Sequence, residues 1–113
     1  MTLDMLKAFG ADVTEGMNRC MDNEEFYLRL IKAAMEDGAF EALGGALSAS
    51  DTEKAFEEAH KLKGVLGNLS LTPIYEPLAE LTELLRHKTP GDYEGLYGAA
   101  MEKKNELKAL LEQ

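Results

Sequence analysis

Apolar positions along the chain recur at three- and four-residue spacing, and no segment keeps the strict alternation of a strand. Residues 12–20 read as a short first helix. Asp22 with Glu25 three residues later has the form of a capping box, and a helix from about 23 to 36 follows. Its expected core face carries Phe26, Leu30, Ala33 and Ala34, broadened by Leu28, Ile31 and Met35, and Asp37-Gly38 ends it. Residues 39–48 form another helix through Phe40, Leu43 and Leu47, although Gly44 and Gly45 weaken it. Ser50, with Glu53 at the third helical position, is the expected cap of a longer helix whose periodicity runs to about residue 70.

Thr72-Pro73 starts the next helix, with proline where its missing N–H costs least. Pro77 lies one turn further in and predicts a bent or loosely formed first turn, because it cannot donate to the carbonyl of Pro73. Leu78, Leu81, Leu84 and Leu85 carry the stripe of this helix. Thr89 to Asp92 is a turn, and the last helix, about 92–112, presents Leu96, Tyr97, Ala100, Leu107, Leu110 and Leu111. Short connections between such helices imply an all-α, up-and-down four-helix bundle with one or two additional short N-terminal helices.

Length and composition narrow this picture. At 113 residues the chain implies one domain, spanning 1–113, and 45% apolar content is enough for a core. A net charge of −9 opposes binding to nucleic acid or to an anionic membrane surface. The single cysteine, Cys20, excludes an internal disulfide and reads as a small buried hydrophobe. There is no secretory leader pattern at the N-terminus and no apolar run long enough to span a bilayer, so a cytoplasmic location is expected. No histidine or cysteine spacing suggests a metal site. The six methionines read as core filler, and Glu57, Glu58 and Glu102 as a solvated face. His87, after Arg86 at a helix C-terminus, reads as a capping or solvent residue.

The stretch EEAHKLKGVLGNL, residues 57–69, is harder to read as packing alone. Two interior glycines, Gly64 and Gly67, each cost a helix about 1 kcal/mol relative to alanine. On a helical wheel with His60 at zero, Ala55, Ala59, Leu62, Leu66 and Leu69 fall between about 180° and 260°. Lys63, Gly64 and Gly67 fall within about 60° of His60, with Phe56 one turn before it and Lys61 about 100° round. The histidine is therefore expected on the surface of a central bundle helix, beside two turns nearly bare of side chains. Glycines in this position also suit close packing against a neighbouring helix, but the wheel places them away from the leucine stripe. A neutral imidazole is a nucleophile near pH 7, and a phosphoryl group on a ring nitrogen leaves readily. No local triad and no glycine-rich nucleotide loop accompany it, so the chain is built to hold a group and hand it over, and not to take one from ATP itself.

These residues carry a resemblance. AHKLKGVLGNL, with Ala59, His60, Leu62, Lys63 and Gly64, resembles the AHxLKG signature of histidine-containing phosphotransfer (HPt) domains, helical bundles that relay phosphoryl groups between receiver-domain aspartates. EEFYLRLIKAAMEDGAFEALGGALSASD resembles that family's two preceding helices and LAELTELLR its following one, so the likeness runs from about Gly16 to the end. It implies that His60 is phosphorylated on its outer Nε2 nitrogen, that Lys63 neutralises the phosphoryl charge, and that Gly64 gives the partner access. Gly67 matches a position that is usually small and is expected, with Gly64, to give the partner access. Phe56 and Lys61 are candidate docking residues. The implied partners are a response-regulator receiver domain or a hybrid histidine kinase. Mg²⁺ is expected on the receiver only, with no cofactor here, and the chain itself is expected to be a monomer. One departure stands out: a second glycine often ends the motif ten residues after the histidine, and here that residue is Ser70. A free-standing shuttle and a domain of a hybrid kinase would read alike. Two other functions fit the residues less closely: a helical module that binds a receiver or kinase without transfer, and a small metal or acid–base enzyme using His60.

Overall fold

The computed structural model describes all 113 residues. It contains seven helices and no strand: α1 (Leu3–Phe9), α2 (Val13–Arg19), α3 (Glu24–Met35), α4 (Ala39–Ser48), α5 (Thr52–Asn68), α6 (Thr72–Arg86) and α7 (Tyr93–Leu111). Helix α5 packs between α4 and α6, α6 between α5 and α7, and α7 closes the bundle against α3 and α4. The expected bundle is present, and both of the short N-terminal helices exist.

Two caps differ from expectation by one residue, for the same reason. Asn23 caps α3 by accepting from the Phe26 N–H at 3.0 Å, and Asp51 caps α5 by accepting from Lys54 N–H at 3.1 Å. The expected caps, Asp22 and Ser50, instead finish the preceding helices. Both have a φ of 56°, and their N–H groups donate to Met17 O and Leu47 O. A residue committed to closing one helix lacks the extended backbone that a cap needs to open the next.

The core face of α3 is rotated from the expected one. Tyr27, Ile31, Ala34 and Met35 are buried, Phe26 and Leu30 are half-buried and Ala33 is exposed. Tyr27 tolerates full burial because its hydroxyl donates to Leu69 O at 2.7 Å. Burial, then Cys20 and Asp12, push its phenol up to about 12. In α6, Ile74 and Thr82 are buried beside Leu78, Leu81 and Leu85, while Leu84 is only half-buried. The Thr82 hydroxyl turns back onto Leu78 O at 2.6 Å, so this polar group enters the core satisfied.

Of the bent or loosely formed first turn expected for α6, the loosening is absent. Ile74 and Tyr75 donate to Leu71 O at 3.0 and 2.9 Å, and the helix runs on past Pro77. These bonds complete the first turn ahead of Pro77 and do not need its missing donor. Helix α4 likewise forms in spite of Gly44. The absent side chain there leaves room for Tyr97, whose hydroxyl donates to Phe40 O at 2.9 Å.

The C-terminal end of α5 is held by α2 and α3. Its last carbonyls need partners from outside the helix. Arg19 Nη1 donates to Gly67 O, Tyr27 to Leu69 O, and the Asp12 N–H to Ser70 O at 3.0 Å. Ser70 is buried with a φ of 57°, a conformation glycine adopts without strain. The serine offsets that strain through its hydroxyl, which donates to Glu15 Oε1 at 2.8 Å.

Candidate functional site

Helix α5 turns Ala55, Ala59, Leu62 and Leu66 into the core and leaves His60 exposed on the opposite side, as its wheel requires. The imidazole is not free-standing. The Phe56 ring, one turn earlier, stacks on it with centroids 5.6 Å apart and planes 19° from parallel. The Arg86 guanidinium, from the end of α6, lies 4.9 Å from the Phe56 ring centroid. A cation over an aromatic face is favourable, and more so where water is partly excluded.

Lys63 sits one turn after His60 with its side chain 27% exposed. Its ammonium is 3.9 Å from Glu83 Oε1 on α6. Glu83 also meets Arg86 Nε at 3.3 Å and His87 Nε2 at 3.6 Å. Neither Glu83 nor Arg86 is among the site residues expected from the sequence. Their signal in the sequence was weak, because the crossing of α6 over α5 is what brings a solvent-side glutamate to a lysine twenty residues away. His87 is the exposed C-cap of α6. Lys61 points off the flank of α5 and pairs with Glu58 at 3.4 Å. Glu58 is not the solvated residue expected, since its side chain is only 15% exposed. It lies next to the leucine stripe, where the stem packs and the carboxylate reaches back out.

The two glycines separate. A Cβ built on Gly64 meets nothing within 4 Å. One built on Gly67 comes 3.2 Å from Tyr75 Cε2. Gly64 is thus open surface beside His60, whereas Gly67 lets the Tyr75 ring of α6 lie close against α5. The wheel described α5 alone and could not show α6 reaching round to Gly67, which adds a packing contact at that glycine. A cleft of about 500 Å³ is lined by Gly64, Gly67, Tyr75, Glu76, Glu15 and Arg19 among others.

No three His, Cys, Asp or Glu side chains are grouped to hold a metal ion. No helix is long and apolar enough to cross a membrane. What the arrangement offers chemically is an oriented, exposed imidazole with a cation one turn away.

Compared with known proteins, the chain matches the family model "Hpt domain" over residues 27–113. No curated protein and no solved structure matches it. The match takes in most of α3 and the whole of α4 to α7, including the AHKLKG stretch around His60. The chain therefore belongs to the Hpt domain family.

Proposed function

We propose that this chain is a phosphoryl carrier in a two-component phosphorelay, with His60 as the acceptor and donor residue. The observation that supports this most is the exposed His60 beside the open turn at Gly64, within a chain that belongs to the Hpt family. The neutral imidazole attacks the phosphoryl group of a receiver phospho-aspartate through Nε2. A P–N bond forms, the P–O bond breaks, and aspartate leaves as its carboxylate. The Nδ1 proton stays on the ring, so no base is needed in this chain, and the reverse step passes the group to a second receiver aspartate. Phe56 holds the ring by stacking, and Lys63 balances the roughly −2 charge that a phosphoryl group brings. Gly64 leaves room for the receiver to close over the ring.

On this reading the chain has no autonomous activity and no cofactor. Mg²⁺ belongs to the receiver, and the compartment is the cytoplasm. The second reading, docking without transfer, shares the surface but not the chemistry. Incubation with a phosphorylated receiver domain separates the two. The carrier gains acid-labile, alkali-stable label that His60→Gln abolishes, whereas a pure docking module binds the receiver and stays unlabelled.

A further inference from the structure

One carboxylate on α6 lies against a lysine, an arginine and an imidazole. Glu83 contacts Lys63 at 3.9 Å, Arg86 at 3.3 Å and His87, charged when protonated, at 3.6 Å. Through Lys63 it touches one flank of the site. Through Arg86, which covers Phe56, it reaches the ring that stacks on His60. Lys63 has no other acidic side chain within 4 Å. We infer that Glu83 is a positioning residue, which parks Lys63 while His60 is bare and competes for it once His60 carries a phosphoryl group.

The inference rests on the carrier reading, and its logic is electrostatic. A phosphoryl group brings about two negative charges one helical turn from Lys63, a spacing at which side chains on a helix meet. It outbids a single carboxylate that is half exposed. When Lys63 turns away, Arg86 and His87 remain on Glu83, so the carboxylate is not left unpaired. The exchange still has a cost, which is the Lys63–Glu83 pairing given up. Exposed pairs of this kind shift an equilibrium by about two- to fivefold. Glu83 thus weakens the hold of the site on its own cargo, which suits a group that has to be passed on.

The test uses phosphoramidate, a donor that needs no protein partner. In its zwitterionic form the His60 Nε2 attacks phosphorus, the donor's P–N bond breaks, and ammonia leaves with its own protons. In ammonia-containing buffer the reaction is reversible, and the phosphorylated fraction of His60 is read by intact mass with peptide mapping. Glu83→Gln is expected to raise the loading equilibrium constant by about two- to fivefold, and Lys63→Gln to lower it. In the Lys63→Gln background, Glu83→Gln is expected to change little. A structural defect at Glu83 would lower loading, so a gain is not explained by damage. Unchanged or reduced loading in Glu83→Gln overturns the inference. A gain that persists without Lys63 overturns it too, because the carboxylate would then act on the phosphoryl group directly. Wild-type protein that loads from phosphoramidate yet takes nothing from phosphorylated receivers would defeat the carrier reading and leave this measurement standing.

Discussion

Replacing Gly64 by alanine adds one methyl group to the exposed side of α5, one turn beyond His60. The new Cβ has no neighbour within 4 Å, so nothing in the fold opposes it. The helix gains what glycine withheld, about 1 kcal/mol. For a chain of 113 residues that corresponds to a rise of about 4 °C in Tm. Gly67→Ala makes the same backbone gain but drives its Cβ to 3.2 Å from Tyr75 Cε2, so the ring has to shift and the gain is largely cancelled. Thermal unfolding followed by far-UV circular dichroism should therefore separate the two variants by about 1 kcal/mol. Stopped transfer assays with one phosphorylated receiver should show Gly64→Ala slowed, since the methyl stands on the surface a partner covers. Two results would overturn these assignments for Gly64 and Gly67. Equal stability gains in both variants would mean that Tyr75 does not constrain Gly67. A stabilised Gly64→Ala that transfers at the wild-type rate would mean that the bare turn serves no access.

Other expectations concern the rest of the bundle. Tyr27→Phe removes a buried hydrogen bond to Leu69 O and should cost about 1–2 kcal/mol in denaturant unfolding. The Tyr27 phenol has a folded-state value raised to about 12, so its contribution is complete below the ordinary tyrosine value of 10 and is lost as pH rises through about 12. The stability difference between wild type and Tyr27→Phe should therefore shrink across that window, and a constant difference would contradict the burial argument. Ser70→Ala keeps the strained backbone but loses the bond to Glu15, and should cost about 1 kcal/mol. Ser70→Gly loses the same bond but relieves the strain, and should lie closer to wild type on the same unfolding curves. Leu66→Ala, at a fully buried position of α5, should cost about 2–5 kcal/mol.

The periodic stripes of the long helices were legible because each buries a continuous face, and the bounds of α4 and α7 follow from them closely. The histidine's outward position was legible for the same reason: Ala55, Ala59, Leu62 and Leu66 leave His60 nowhere else to point. Features set by two helices at once were not. Asp22 and Ser50 looked like caps because residue type does not reveal that the preceding helix still needs them for its own closure. Tyr27 falls outside the face expected for α3, because the partner that permits its burial, Leu69 O, comes from the end of α5. Gly67 looked equivalent to Gly64 on a single wheel, and only α6 distinguishes them. Glu83 and Arg86 enter the site by the crossing of α5 and α6, which no local pattern encodes. The departure at Ser70 became intelligible once α2 was seen to bond to it.

In the proposed relay, His60 carries the phosphoryl group. The most direct measurement is phosphoryl transfer from a panel of phosphorylated receiver domains to the wild-type chain and to His60→Gln. Acid-labile, alkali-stable label is expected on the wild type, mapped to His60, and none on the variant. Label that survives in His60→Gln, or receiver binding with no label on the wild type, would contradict that role for His60.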